Sequence, residues 1–391
     1  MIVMEADSSR KANSATHNIF IMRVVMSKYI KNIYSEITSY ENLHKAYLNA
    51  RKAKRFRDEV LRFTNNLEEN LVDIQNELTN HTYKVGRYRE FNIYEPKQRL
   101  IMALPFRDRV VQWAIYQVLF PIFVNTFIND SFACIPGRGT HSAVKRLFYW
   151  LHQVDRKTEK YYYLKLDISK YFYRIDHAVL LEILDRKIKD KELLQLLEEI
   201  INCEDTSFGL PLGVNVEEIT ERLPDKGMPI GNLTSQMFAN LYLNELDQYC
   251  KRQLRIHYYI RYMDDVIILA DDKKRLHEIK ELIDTFLQER LKLNLNKKTA
   301  IRPVSLGIEF VGYRLWPTHV KLKKASALKM KRRLKQVQEL YNEGKIEFDK
   351  VNSTVQSYFG VLKHCNSYKL KNKIFDGFVL HRQSQEDDSS E

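Results

Sequence analysis

The chain has 391 residues, of which 44% are hydrophobic, and its 63 lysine and arginine residues against 50 aspartate and glutamate residues give a net charge of +13. The apolar content excludes a wholly disordered chain, and the length is sufficient for two or three domains with their own cores. The excess of positive charge favours a polyanionic partner, either nucleic acid or an anionic membrane surface.

The sequence contains neither a membrane span nor a disulfide or zinc pattern. The longest apolar run near the N-terminus, residues 19–26, is too short to cross a bilayer and contains Arg23. The four cysteines are separated by dozens of residues and form no CxxC or Cys/His pairing, so we predict reduced thiols. We therefore predict a cytoplasmic protein without a membrane partner.

The first part of the sequence alternates between helical and strand-like stretches. Residues 1–25 are irregular and polar, which predicts a flexible tail. Apolar residues at spacings of three and four predict helix from Ser35 to Asn80, residues 83–105 predict short strands, and residues 108–126 predict helix again. Six basic residues between 45 and 57 give this region a positive face, for which a solvated helix surface is the simplest interpretation.

The remaining elements predict an α+β fold, in which helices pack on one face of a small antiparallel sheet. In chain order they are an aromatic strand at 160–168, a long amphipathic helix to about 202, a Pro/Gly-marked connection ending at Gly227, a helix after Thr234, a hairpin at 258–270, a helix at 273–290, strands within 293–316, helices within 324–375 and a disordered tail at 379–391.

The hairpin carries two adjacent aspartates, Asp264 and Asp265, in the sequence IRYMDDVIILA. A solvated turn explains such a pair without any function, because aspartate is a common turn residue. The alternative is a metal site, which requires a third carboxylate on a neighbouring strand. Asp167, at the end of the strand YYYLKLDI, could supply it if the two elements pair. Three such carboxylates can hold two Mg²⁺ ions for an in-line phosphoryl displacement.

Three stretches in order resemble the palm motifs of reverse transcriptases: LDISKYF at 166–172, GMPIGNLTSQMFANLYLNELD at 227–247 and YMDD at 262–265. The resemblance, which extends over residues 97–316, implies a right-hand polymerase fold. The implied domains are an N-terminal extension and fingers at 26–160, a palm with part of the fingers at 161–316, and a helical thumb at 317–378. It also implies two catalytic Mg²⁺ ions held by Asp167, Asp264, Asp265 and the backbone carbonyl of Ile168.

Four further side chains are implied by the resemblance to act on the incoming nucleotide. Lys97 and Arg99, in PKQRLIMALP, would clasp the triphosphate, although exposed basic residues are common without such a role. Phe172 would exclude a ribose 2′-hydroxyl, with core packing as the alternative. Lys298 in NKKT would act as a proton donor near the leaving pyrophosphate, and Lys297 beside it is the alternative candidate.

Primer and template contacts are implied for Tyr262 and for Gly312. The sequence FVGY at 310–313 resembles the primer-grip hairpin, where glycine permits a close backbone approach. Eight basic residues between 321 and 335 predict a helical face that follows the nucleic-acid backbone. From this set we assign Lys329, Arg332 and Arg333 to primer–template binding.

The segment GMPIGNLTSQ resembles reverse transcriptases of diversity-generating retroelements rather than the commonest bacterial pattern. Ile230 stands where many relatives have glutamine, and Gln236 stands where they have proline, with Gly231 between them. The resemblance implies dNTP incorporation that is error-prone opposite adenine, and an accessory protein that forms a pentameric ring. An isoleucine cannot hydrogen-bond to the templating pair, which would lower discrimination, although Ile230 could instead fill a gap in the core.

Two alternatives remain for the function. The first is another bacterial reverse transcriptase, such as a retron or defence-associated enzyme. The second is a non-catalytic RNA-binding protein on a reverse-transcriptase scaffold, which the presence of all three aspartates disfavours.

Overall fold

The structure is a computed structural model that describes residues 29–94, 99–213 and 221–382. The predicted tail at 1–25, Lys97 and the end of the C-terminal tail lie outside these ranges, so the statements made about them above stay predictions.

Helices make up most of the described chain. They are α1 (Tyr34–Thr38), α2 (Tyr40–Ala50), α3 (Asp58–Asn65), α4 (Leu67–Thr79), α5 (Phe106–Val124), α6 (Thr140–Asp155), α7 (Tyr171–Arg174), α8 (His177–Asp185), α9 (Lys191–Asn202), α10 (Leu233–Gln248), α11 (Lys273–Leu291), α12 (Lys324–Asn342), α13 (Phe348–Leu362) and α14 (Tyr368–Phe375). Helix α10 continues into a π-helical turn at Tyr249–Gln253, and no described helix is both long enough and apolar enough to cross a bilayer.

The strands form three sheets. They are β1 (Arg89–Ile93), β2 (Arg99–Ala103), β3 (Ser131–Phe132), β4 (Tyr162–Asp167), β5 (Tyr259–Tyr262), β6 (Asp265–Ala270), β7 (Ala300–Pro303), β8 (Ile308–Phe310), β9 (Tyr313–Leu315) and β10 (Val320–Leu322). Strands β1 and β2 form a hairpin, β8 to β10 form a three-stranded sheet, and the five-stranded central sheet has the order β3-β5-β6-β4-β7. Its pairings are antiparallel except for the two-residue parallel pair β3–β5.

Both faces of the central sheet are covered, because side chains alternate between the two faces along each strand. Leu164 and Leu166 of β4 point into the main core, which the helices form. The intervening Tyr163 points into a second core, built with helix α6 and the three-stranded sheet. The prediction that helices pack on one face is therefore correct for the main core and incomplete for the other face.

The C-terminal helices have a small core of their own, in which Met330, Leu334 and Leu362 are buried. They are attached to strand β10, where the Asn366 N–H donates to the Val320 carbonyl at 2.7 Å and the Val320 N–H donates to the Asn366 side chain at 3.0 Å.

The prediction of one long helix from the aromatic strand to about residue 202 is wrong. This segment forms α7, α8 and α9, and the last two begin at aspartate caps. The Asp176 carboxylate accepts from the Val179 N–H at 3.2 Å, and the Asp190 carboxylate accepts from the Leu193 N–H at the same distance. Side chains of this type satisfy the free N–H groups of a first helical turn and so start new helices.

Candidate active site

The YMDD sequence forms the tight turn of the β5–β6 hairpin. Tyr262 pairs with Asp265, which leaves Met263 and Asp264 as the two-residue loop. Met263 has a φ of 56°, the left-handed conformation that such short turns require. The simple turn interpretation is thus correct, and the same turn holds two carboxylates at one end of the central sheet.

Asp167 ends the neighbouring strand β4, and its register partner is Asp265. The segment before β7 also holds this end of the strand: the Asp167 N–H donates to the Thr299 hydroxyl at 3.3 Å, and the Asn296 N–H donates to the Asp167 carbonyl at 2.7 Å. Ile168 and Leu295 form an isolated antiparallel β-bridge. Its hydrogen bonds are made by the backbone groups of the adjoining residues, so the Ile168 carbonyl takes no part in them. The three predicted carboxylates therefore converge on one end of the sheet.

The Lys165 ammonium, which was not among the predicted site residues, lies 3.0 Å from both carboxylate oxygens of Asp265. It also donates to the Glu309 carbonyl at 2.8 Å. Burial nevertheless raises the pKa of Asp265 to about 6, with further contributions from the charges of Asp264 and Asp167, while Lys165 opposes the shift. Burial and the Asp167 charge also raise the pKa of Asp264, against the lowering effect of Arg99 and Arg261.

The donor set suits a hard divalent cation. Oδ1 of Asp265 is buried and accepts no directed hydrogen bond, although it has the ionic contact with Lys165, and its carboxylate faces the negative charge of Asp167 and Asp264. A cation would offset this repulsion, and carboxylate oxygens are the ligands that Mg²⁺ prefers. Within the described ranges, no three His, Cys, Asp or Glu side chains are yet close enough together to hold an ion. The ligand chemistry therefore suits Mg²⁺, whereas the carboxylate side chains would have to move closer together to bind it.

A buried ion pair supports the aspartate turn from behind. Arg261 and Asp247 are fully buried, with the Arg261 Nε and Nη2 donating to the two Asp247 oxygens at 2.7 and 2.6 Å. The remaining Nη1 donates to the Met263 carbonyl at 2.9 Å and to the Asn240 side chain at 3.2 Å. Arg261 thereby ties the residue just before Asp264 to helix α10. An arginine within an otherwise apolar strand was the sequence signal for such a pair, because buried arginine requires a partner.

The predicted nucleotide residues on the described chain lie on β2, on α7 and in the loop before β7. Arg99 is exposed at the start of β2, and it is close enough for its charge to lower the pKa of Asp264. Phe172 is half-buried and packs against the main core, and its carbonyl accepts from the Met228 N–H at 2.7 Å. Packing and a role toward the nucleotide are thus compatible for Phe172. Lys298 is exposed, and its backbone N–H donates to the Asn296 side chain at 3.1 Å.

The GMPIGNLTSQ segment lies against strand β2. The Ile230 carbonyl accepts from the Met102 N–H at 3.3 Å, while the residue itself is only half-buried. Gly231 has a φ of 123°, a backbone conformation that favours glycine, although a Cβ there would only touch the Ile101 side chain at 3.4 Å. Gln236 is half-buried in the first turn of α10. Ile230 and Gly231 are therefore held next to the strand that begins with Arg99.

The predicted primer–template residues fall into two places. Gly312, Lys329, Arg332 and Arg333 line one groove of about 1120 Å³, which runs along α12. Tyr262 is not in the lining of that groove, and its hydroxyl lies 3.1 Å from the Thr140 hydroxyl. The basic helix thus forms a groove wall next to the FVGY turn.

These features define a chain with a carboxylate-bearing β-hairpin on a helix-covered sheet and a basic groove beside it. The family described as reverse transcriptase (RNA-dependent DNA polymerase) matches residues 91–315, more than half of the chain. The chain belongs to this family, and the predicted fold class, an α+β right-hand polymerase fold, is confirmed.

Two curated relatives show the range of similar proteins. Protein YkfC of Escherichia coli (strain K12) is 28% identical over 260 residues, covering 57% of this chain and 65% of that protein. Group II intron-encoded protein LtrA of Lactococcus lactis subsp. cremoris is 23% identical over 315 residues, covering 63% of this chain and 49% of that protein. The chain therefore spans about two thirds of one relative and about half of the other.

Proposed function

We propose that this protein is an RNA-directed DNA polymerase that copies a template RNA into cDNA. The observation that carries the proposal is the placement of Asp167 and Asp265 as register partners, with Asp264 in the adjoining turn. A strand end that gathers three carboxylates is costly unless a cation or substrate phosphate group offsets the repulsion. Membership of the reverse transcriptase family supports the same reaction.

In the proposed mechanism, Asp167, Asp264, Asp265 and the Ile168 carbonyl would hold two Mg²⁺ ions. When bound, such ions stabilise the attacking and leaving oxygens of a phosphoryl displacement. Arg99, together with Lys97, binds the triphosphate through charge-assisted hydrogen bonds. Phe172 closes the sugar pocket against a 2′-hydroxyl, and Lys298 protonates the pyrophosphate.

The residues of the proposed site are distributed over the proposed fingers at 26–160, palm at 161–316 and thumb at 317–378. Tyr262 and Gly312 orient the primer terminus. Lys329, Arg332 and Arg333 bind the primer–template backbone along the groove that they line. The positive net charge of the chain favours this partner.

We further propose the diversity-generating subtype, with misincorporation opposite adenine, an accessory protein partner and a cytoplasmic location. Support comes from the segment GMPIGNLTSQ and from the half-buried Ile230, whose side chain offers no hydrogen bond to a base. Gly231 and Gln236 complete the nucleotide-side wall of this proposed pocket. Another bacterial reverse transcriptase is the alternative, and the similarity to LtrA and YkfC is compatible with either.

Primer extension on an RNA template containing adenine, with Mg²⁺ and dNTPs, tests the proposal. The critical variant is Asp264→Ala, and the matched control is Asp271→Ala, an exposed aspartate just beyond the other end of strand β6. We expect cDNA from the wild type and the control but not from Asp264→Ala, with sequence errors concentrated opposite adenine. Faithful cDNA would favour another bacterial reverse transcriptase. Absence of cDNA even with the accessory protein would favour a non-catalytic RNA-binding protein.

A further inference from the structure

The loop between α2 and α3, residues 51–57, presents an exposed aromatic ring among basic side chains. Its sequence is RKAKRFR, and the Phe56 side chain is 91% exposed. The backbone is nevertheless well defined by turn hydrogen bonds. The Lys54 N–H donates to the Arg51 carbonyl and the Arg57 N–H donates to the Lys54 carbonyl, both at 3.0 Å. We call residues 51–57 the basic loop.

The positive charge of the basic loop is only partly offset by carboxylates, since Asp58 follows it directly and Glu59 raises the pKa of Lys54. Lys52, Lys54, Arg55 and Arg57 make no ion pair within the residues that the structure describes. The pKa of Lys54 is lowered by burial and then by the nearby charges of Arg109 and Arg57. Arg109 is itself bound to Glu59 at 2.6 Å, so that carboxylate is already engaged. An additional anion at this loop would therefore be stabilised.

The exposure of the Phe56 ring is a second feature of the loop, and the positive charge does not explain it. A ring exposed to this degree loses the free energy of apolar burial, and here it extends from a loop that has a defined backbone. Residues 52–57 line a concavity of about 440 Å³. Aromatic rings flanked by lysine and arginine bind single-stranded nucleic acid, because unpaired bases stack on the ring while phosphates contact the cations.

We propose that the basic loop is a binding site for a single-stranded polynucleotide, with Phe56 stacking on an unpaired base and Lys52, Lys54, Arg55 and Arg57 contacting the flanking phosphates. A base pair within a duplex has no free face for Phe56, so the site selects single strands. A membrane surface fits less well, since binding to it needs several bulky apolar side chains and the loop has one. The site is separate from the aspartates and does not depend on polymerase activity.

Fluorescence anisotropy with the full-length chain tests this site, using labelled RNA of about 20 nucleotides without self-complementarity and its duplex form. The variant Phe56→Leu keeps an apolar side chain but removes the ring. The control Leu282→Ala removes an exposed apolar side chain from helix α11. We expect Phe56→Leu to weaken single-strand binding at least about fivefold with duplex binding unchanged, and Leu282→Ala to bind as the wild type does.

A second measurement separates the loop from any other nucleic-acid site on the chain. Ultraviolet cross-linking to the same RNA, followed by mass spectrometry, should locate cross-links within residues 51–57. In a salt titration, Arg55→Ala should reduce the slope of log affinity against log salt by ~0.7 for each phosphate that the loop no longer neutralises. Repeating the binding with DNA of the same sequence shows whether the site distinguishes the two sugars.

The proposal would be overturned by unchanged single-strand affinity of Phe56→Leu together with cross-links found only outside the loop. It would also be overturned if the loop variants lost binding to anionic vesicles but kept binding to RNA. The anisotropy and cross-linking measurements omit Mg²⁺ and dNTPs. A chain that fails to polymerise nucleotides therefore still gives a clear result for RNA binding at the basic loop.

Discussion

The ion pair between Lys165 and Asp265 shows how burial and neighbouring charges compete for the protonation state of a carboxylate in the proposed active site. The ammonium lies 3.0 Å from the carboxylate, yet the pKa of Asp265 stays raised at about 6, because burial and two like charges oppose it. The folded, metal-free chain therefore holds a proton at Asp265 in weakly acidic solution, where the unfolded chain does not.

The raised pKa of Asp265 predicts the direction in which pH changes stability. In EDTA, the pKa of Asp265 is about 4 in the unfolded chain and about 6 in the folded chain, so its stabilising contribution is lost as pH rises from about 4 to about 6.5 and changes little above that. We expect Tm of the wild type to fall relative to Asp265→Asn across this range, and added Mg²⁺ to reverse the fall at the higher pH. Parallel Tm curves for the two proteins would contradict the prediction.

Ile230 provides a residue-scale test of fidelity. Replacing it with glutamine adds an amide that can hydrogen-bond near the nucleotide, while its backbone bond to Met102 is retained. We expect Ile230→Gln to reduce misincorporation opposite adenine, by about tenfold for each 1.4 kcal/mol of added discrimination. Sequencing the cDNA measures this, with Ile230→Leu as the control that keeps an apolar side chain. An error spectrum identical to that of the wild type would count against a fidelity role for Ile230.

At the scale of elements, the β5–β6 hairpin depends on helix α10 through Arg261 and Asp247. Removing one partner of a fully buried pair leaves an uncompensated charge, which typically lowers stability by about 3–5 kcal/mol. We expect Asp247→Asn to lower the free energy of unfolding by this order, and to weaken Mn²⁺ binding measured by electron paramagnetic resonance. Glu245→Gln, also in helix α10, breaks the half-exposed pair with Arg186 at the end of α8 and should cost less than about 1 kcal/mol.

The sequence allowed the hairpin and its carboxylates to be located, because runs of strand-forming residues on both sides of YMDD mark two strands. It did not reveal where the helices after β4 break, since their apolar period continues across the breaks. The caps Asp176 and Asp190 were the local signal. Asp190 also accepts from the N–H groups of Ile33 and Tyr34, at 2.8 and 3.0 Å. Contacts between positions so distant in the sequence, like that of Lys165 with Asp265, follow from the folded arrangement and not from local pattern.

At the scale of the whole molecule, the basic groove along α12 predicts how nucleic acid binding responds to salt. Arg332 and Arg333 line the groove, whereas Lys335 on the same helix does not. We expect Arg332→Ala and Arg333→Ala each to weaken primer–template binding, and to lower the slope of log affinity against log salt by about 0.9 for each phosphate that the groove no longer neutralises. The Lys335→Ala control should leave both the affinity and the slope unchanged. An equal effect in all three variants would contradict the assignment of this groove to primer–template binding.

The order β3-β5-β6-β4-β7 also determines how much of the chain must be synthesised before the central sheet can be completed. Strand β4, with Asp167, leaves the ribosome early, but its two neighbours are β6 and β7, and β7 ends only at Pro303. Pairing between such distant segments forms late in folding, because loop closure must precede it. A nascent chain that ends before Pro303 therefore carries Asp167, Asp264 and Asp265 without the complete sheet that aligns them.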